Sequence, residues 1–328
     1  MFCFNKKSIS GLLVIPLFLM SHGAISFAAE KKLRVVTTVA PITNIIYNVG
    51  GDLINLHGIV PEGTDSHTFE PSPSDIKWIV AGDLFILNGL HLETPTEKLM
   101  RSQKPKNSVV VKLGDVVISE KELVYDFSFP KEKGDPNPHL WLSVGYAMKY
   151  AEVVRDELSK ADPAHKDQYG KNAGRYLARL KELDQAIVAS TQTIPAENRK
   201  LVTYHDSWPY FSLRYGYTVI GAVQPSSFSE PSARDIAALI DQLKKLKAPA
   251  IFGSEVFPSK VLDQVGREAG VKYVSTLRDD DLPGEPTAPE HTYIGMMIEN
   301  MKHIAVPLGG NADAMLQVNP ANIQTQGK

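Results

Sequence analysis

The stretch Lys200-Leu-Val-Thr-Tyr-His-Asp-Ser-Trp-Pro-Tyr-Phe-Ser-Leu-Arg-Tyr-Gly-Tyr-Thr-Val-Ile-Gly-Ala-Val223 reads as strand, helix, strand. Lys200–Tyr204 is a short apolar run. Trp208 to Tyr215 carries helical spacing. Tyr217–Val223 is β-branched and apolar. The same alternation continues on both sides. Ser232 caps a helix through Leu246, whose Ile236, Leu239, Ile240, Leu243 and Leu246 form one stripe. Pro249–Phe252 and Val271–Ser275 are strands around a helix from Lys260 to Ala269, and a last helix covers Thr292 to Ile304.

The first half repeats this pattern. Strands are expected at Leu33–Thr38, Leu53–Val60, Asp83–Leu87 and Val109–Lys112. Helices are expected at Ile42–Asn48, from a Ser74 cap through Val80, and near Glu93–Arg101. Strands alternating with helices predict parallel sheets built from right-handed crossovers. Between the halves, Tyr169, Ala173, Tyr176, Leu177, Leu180, Leu183 and Ile187 recur at three- and four-residue steps, predicting one long helix over Pro163–Ile194. The expected fold class is therefore α/β, with two similar parallel-sheet lobes flanked by helices and joined by one long helix. The expected divisions are a signal peptide (1–28), an N-terminal lobe (29–162), the linking helix (163–194), a C-terminal lobe (195–308) and a polar tail (309–328) that frays. Gly114 to Pro138 reads as a loop.

Composition narrows the function. Of 328 residues, 43% are hydrophobic and 22% charged, near a soluble average, and the net charge of −2 argues against a nucleic-acid partner. Lys6 and Lys7, the apolar run Gly11–Met20 and the small residues of Ser26-Phe-Ala28 form a secretory signal peptide, expected to be cleaved after Ala28. That places the mature chain in the periplasm. The sole cysteine, Cys3, lies within the removed segment, so any metal must be held by His, Asp or Glu.

Four loop positions stand out: His67 in Asp65-Ser-His-Thr-Phe-Glu-Pro-Ser-Pro73, His139 in Pro136-Asn-Pro-His-Leu-Trp-Leu142, His205 after Tyr204, and the acidic run Asp279-Asp280-Asp281. In open α/β sheets ligands bind beyond the carboxyl ends of strands. Two candidates fall in each half, which puts the site between the lobes. Three imidazoles and one carboxylate would close a four-coordinate shell suited to Zn(II). Each imidazole needs a partner on its other nitrogen, and Asp206, Glu70 and Asp65 are the nearest acids in sequence.

These strings carry a resemblance. Ser66-His-Thr-Phe-Glu-Pro-Ser-Pro73 resembles the His-x-x-Glu-Pro motif of metal-binding lipoproteins and zinc-binding solute-binding proteins of ABC importers. Asn137-Pro-His-Leu-Trp-Leu142 is similar to that family's Asp-Pro-His-x-Trp-Leu. Tyr204-His-Asp-Ser-Trp-Pro-Tyr-Phe211 resembles its third-ligand segment, and Asp280-Asp-Leu282 followed by Thr292-Tyr-Ile-Gly-Met296 its last. Asn88-Gly-Leu-His-Leu-Glu93 resembles a further shared stretch, with His91 where the family often has Gly or Asn. The resemblance implies metal ligands His67, His139, His205 and Asp280, with Asp279 and Asp281 open as substitutes for Asp280.

It also implies a monomeric capture protein that delivers Zn(II) to an ABC transporter permease, without catalysis. Histidine at the third position favours zinc; Mn(II) is the alternative, since several manganese members carry Glu there. The loop 114–138 lacks the His-rich tract of many zinc members. Two readings from other classes compete. An exported zinc hydrolase would use Glu70 as base, although no His-Glu-x-x-His motif is present. A haem or metal-chelate binder would need an open cleft with contacts to an organic ligand.

Overall fold

The computed structural model describes residues 1–3, 31–224, 231–256 and 260–324; the expected signal-peptide features at Lys6–Met20 and Ser26–Ala28 lie outside them. Residues Lys32–Lys328 form one unit, to which everything below refers. Its elements run β1 (Leu33–Thr37), α1 (Ala40–Gly50), β2 (Ile54–Gly58), α2 (Pro73–Ile79), β3 (Leu84–Leu87), α3 (Thr94–Gln103), β4 (Val109–Lys112) and α4 (Leu113–Val117). Next come α5 (Val144–Ala161) and α6 (Lys166–Gln192). The second half holds β5 (Lys200–Thr203), α7 (Pro209–Tyr215), β6 (Thr218–Ala222), α8 (Ala233–Leu246), β7 (Ala250–Ser254), α9 (Lys260–Ala269), β8 (Lys272–Leu277) and α10 (Tyr293–Ala305).

The two sheets have the same topology, β2-β1-β3-β4 and β6-β5-β7-β8, with every described pairing parallel. Strand order reverses between β1 and β3 and between β5 and β7. Each sheet therefore has a switch point where ligands sit in such folds. The central strands β3 and β7 are buried along their whole length, as apolar runs in a doubly covered parallel sheet should be. Away from the centre, Val36, Phe85, Leu87 and Met100 form one small core beneath α2 and α3, while Val202, Leu239, Leu243, Ile251 and Leu262 form another beneath α8 and α9. The main core is shared: Val35 and Ile86 of the first sheet and Leu201 and Phe252 of the second belong to one cluster with Tyr150, Tyr176, Leu180, Tyr293 and Met297. Met296, Met297 and Met301 are wholly buried there and serve as packing.

Several boundaries differ from expectation for identifiable reasons. The long helix begins at Lys166, after a 3₁₀ turn over Pro163–His165; its 27 residues span about 40 Å. α2 starts at Pro73, not after Ser74: Ser72 is the cap, its N–H donating to Asp75 Oδ2 at 2.7 Å, and the proline occupies the first turn. α3 starts one residue late because Glu93 turns inward instead of entering the helix. Helix α5 was not expected, yet Val144, Ala147, Tyr150, Ala151, Val154 and Leu158 give it a buried stripe at helical spacing.

The tail does not fray over its described part. Met315 and Val318 are buried, Ile323 N–H donates to Asn48 Oδ1 at 2.9 Å, and Asn322 Oδ1 accepts from both Asn44 and Asn48 at 3.0 and 2.8 Å. Its polar side chains bond to buried amides of α1, a use that polarity alone does not reveal.

Candidate metal centre

His205 lies two residues past the end of β5, at the carboxyl edge of the sheet near the switch point. His67 lies in the loop after β2. Asp65 shapes that loop, its Oδ1 accepting from His67 N–H at 2.9 Å and its Oδ2 from Thr68 Oγ1 at 3.0 Å. His139 sits just before a 3₁₀ turn over Leu140–Leu142 that leads into α5. Among the described residues, ring nitrogens of these three histidines all lie within 4.8 Å of one another. His67 Nε2 is 3.3 Å from His139 Nε2 and 3.3 Å from His205 Nε2. A tetrahedral ion with bonds of about 2.0–2.1 Å places its donor atoms about 3.3–3.4 Å apart. His139 and His205 are buried; His67 is half-buried.

The two buried rings are oriented by different chemistry. His139 Nδ1 is 2.8 Å from Asn137 Oδ1, an acceptor, so Nδ1 carries the proton and the Nε2 lone pair faces inward. Asn137 is itself held across the lobes, its Nδ2 donating to Asp126 Oδ2 at 2.9 Å and to the Asp206 carbonyl at 2.5 Å. His205 Nδ1 meets Asp279 Oδ2 at 2.5 Å. The orienting partners are thus Asn137 and Asp279, not the sequence neighbours Asp206 and Glu70. Asp206 instead accepts Ser128 N–H at 2.8 Å; burial, and then the charge of Asp206, push Asp126 up to about 9. Glu70 is exposed.

Charge divides the site. Burial, reinforced by the neighbouring imidazoles, holds His67 and His139 well below the ordinary histidine range. Burial acts on His205 too, but Asp279 beside it, with Asp280 and Asp65 behind, pushes it up to about 9. Burial and the charge of Asp279 push Asp280 up to about 8.

Asp280 lies outside the three-imidazole group at that spacing. Its Oδ2 accepts from Ser66 Oγ at 2.7 Å, and its buried Oδ1 has no hydrogen-bond partner among the described residues. Asp281 faces the other way, both its oxygens accepting from Gly63 N–H at 2.9 and 2.8 Å. Behind this loop stands a residue the sequence reading missed. Glu255 Oε1 accepts the N–H groups of Asp279, Asp280 and Asp281 at 2.8, 3.0 and 3.1 Å. The available signal was its position immediately after β7, one step further along the paired strands than His205 after β5.

Two α/β lobes that converge imidazoles from facing strand ends onto one point, over a shared core, define a metal-binding protein of the two-lobed kind. Comparison with known proteins agrees. Residues 35–306 match the family model described as zinc-uptake complex component A, periplasmic, and the chain belongs to that family. It is 32% identical to the iron-binding protein YfeA of Yersinia pestis over 85% of this chain and 87% of that one. It is 30% identical to the manganese ABC transporter substrate-binding lipoprotein PsaA of Streptococcus pneumoniae, over 89% and 94%. The structure of the periplasmic zinc-binding protein TroA from Treponema pallidum superposes with a TM-score of 0.77 at 29% identity, covering 85% of this chain and all of that one. A manganese-bound periplasmic metal-binding protein from Candidatus Liberibacter asiaticus gives 0.73 at 26%, covering 85% and 100%.

The chain is accordingly a substrate-binding component for metal import, not an enzyme, and the hydrolase reading falls. No helix among the described residues is long and apolar enough to cross a membrane.

Proposed function

We propose that this protein captures Zn(II) in the periplasm, as a monomer freed of residues 1–28, and hands it to the permease of an ABC importer. The ligands are His67, His139 and His205, with the carboxylate of Asp280 as the fourth. The observation that carries the metal choice is the donor set itself: three imidazole nitrogens within 4.8 Å of one another, with His67 Nε2 at 3.3 Å from each of the other two, as in a tetrahedral zinc shell. Imidazole suits zinc better than manganese, which prefers oxygen donors and octahedral surroundings. Asp280 is assigned from the family resemblance, and its buried Oδ1, without a hydrogen-bond partner among the described residues, is open to a cation, whereas Asp279 already engages His205.

The test is calorimetry of the chelator-stripped chain beginning at Ala29, with Zn(II) and Mn(II) titrated separately and His205→Ala as control. One tightly bound Zn(II) per chain, lost in the variant, is the expected result. Tight Mn(II) with weak Zn(II) would overturn the metal, and no tight binding of either would overturn the ligand set.

A further inference from the structure

His67, the most exposed of the three imidazoles, also lines a cavity of about 380 Å³. One wall comes from the segment after β3, including Leu90 and His91, and the other from the loop carrying Ser128, Phe129 and Asp135. Phe129 stands at its inner end, with its ring centroid 5.5 Å from that of His67 and 5.8 Å from that of His139. At the exposed rim, His91 Nδ1 lies 3.5 Å from Asp135 Oδ1. We infer that this cavity is the entry path of the metal and that His91 and Asp135 form an outer station, a nitrogen and an oxygen donor that hold the divalent cation in transit before it passes Phe129 to His67. This rests on the proposed function.

Three observations support the pairing. Both donors belong to classes that bind Zn(II), and they come from separate segments that meet at the cavity. The turn presenting His91 is held in an unfavourable conformation. Gly89, Leu90 and His91 all have positive φ, at 81°, 50° and 66°, which for the two non-glycine residues costs on the order of 1 kcal/mol each. That turn is locked by Glu93, which accepts Asn88 and Gly89 N–H at 2.7 and 3.1 Å, and by Asp115, which accepts Leu90 N–H at 3.0 Å. The buried centre, finally, is reached past His67, since His139 and His205 are enclosed. Lys133 lines the same cavity and opposes the entry of a cation.

A station outside the final site must change entry and exit rates by the same factor and leave the equilibrium unchanged. Stopped-flow Zn(II) binding, and release to a chelator, would be measured for the chain from Ala29. The substitutions are His91→Asn, which tolerates the left-handed turn, Asp135→Asn, their combination, and Lys133→Gln. The double variant is expected to slow binding and release at least threefold with the same Kd and one zinc per chain, and Lys133→Gln to speed both. Unchanged rates in the double variant would overturn the entry path. A changed Kd with unchanged binding rate would place His91 and Asp135 in the final site and overturn the transit role. Failure of the unsubstituted chain to bind Zn(II) would instead overturn the proposed function on which this rests.

Discussion

The two lobes share a sheet order but hold their halves of the centre differently. In each, a glutamate beyond the third strand acts as a staple, buried in the case of Glu93 and half-buried in that of Glu255. Glu93 accepts Asn88 N–H, Gly89 N–H and Thr38 Oγ1, and Glu255 accepts three consecutive N–H groups of the acidic loop. The N-terminal staple acts at one remove: it fixes Asn88, whose Nδ2 donates to the Pro138 carbonyl at 3.0 Å beside His139. The C-terminal staple directly holds the loop bearing Asp279 and Asp280. The partners differ too, a neutral amide for His139 and a carboxylate for His205. The N-terminal lobe thus sets mainly geometry, while the C-terminal lobe also sets charge.

The sharpest way to break that contrast is at the staples. Glu255→Ala leaves three buried donors without their acceptor, at about 1–3 kcal/mol each. It is expected to lower the melting temperature and abolish tight zinc binding. Glu93→Ala should destabilise comparably in thermal unfolding yet retain more zinc affinity, and equal affinity losses would contradict the division.

Next are the orienting partners. Loss of either Asn137 or Asp279 is expected to weaken zinc about 10- to 100-fold, the usual range for such residues. Their pH signatures separate them. His205, held up to about 9, and Asp280, pushed up to about 8, are both protonated in the metal-free chain near pH 7.5 and must release those protons to a metal. Zinc affinity should therefore climb by up to about a hundredfold per pH unit below 8, where both groups release a proton, and by up to about tenfold per unit from there towards 9. Asp279→Asn should flatten that climb and Asn137→Ala should leave it, as calorimetry in buffers of different ionisation enthalpy would reveal.

The same pair acts on stability. Because the folded value of His205 lies above the ordinary one of 6.5, its contribution in metal-free protein is fully present below pH 6.5 and fades as pH rises through about 9. Chelator-stripped protein should melt lower at pH 9.5 than at 7 in its Asp279-dependent part. The smallest effect is a control far from the charge: Ser72→Ala removes a helix cap, about 1 kcal/mol by denaturant unfolding, with zinc affinity unchanged.

Much of this was legible in the chain. Alternating strand and helix patterns in both halves pointed to paired parallel sheets, and the stripe from Tyr169 to Ile187 pointed to α6. What escaped detection depends on distance along the sequence. Asp279 is 74 positions from the ring it orients, and Glu255 some 25 positions from the N–H groups it satisfies, so no local spacing betrays either. Helix α5 escaped for the opposite reason: its pattern is local, but Lys, Glu, Arg and Asp separate its buried positions. His67, His139 and His205 were found because strand ends and short motifs mark them. Asp280 remains the position that spacing and geometry treat differently.

X-ray absorption at the zinc edge, on the stoichiometrically loaded chain, addresses the centre most directly. Three nitrogen scatterers with imidazole multiple scattering and one oxygen, all at about 2.0–2.1 Å, are expected, with one imidazole fewer around the zinc that His205→Ala, having lost tight binding, still takes up at high metal concentration. A shell of six oxygens, or one unchanged by that substitution, would contradict a zinc ion held between the lobes by these three histidines.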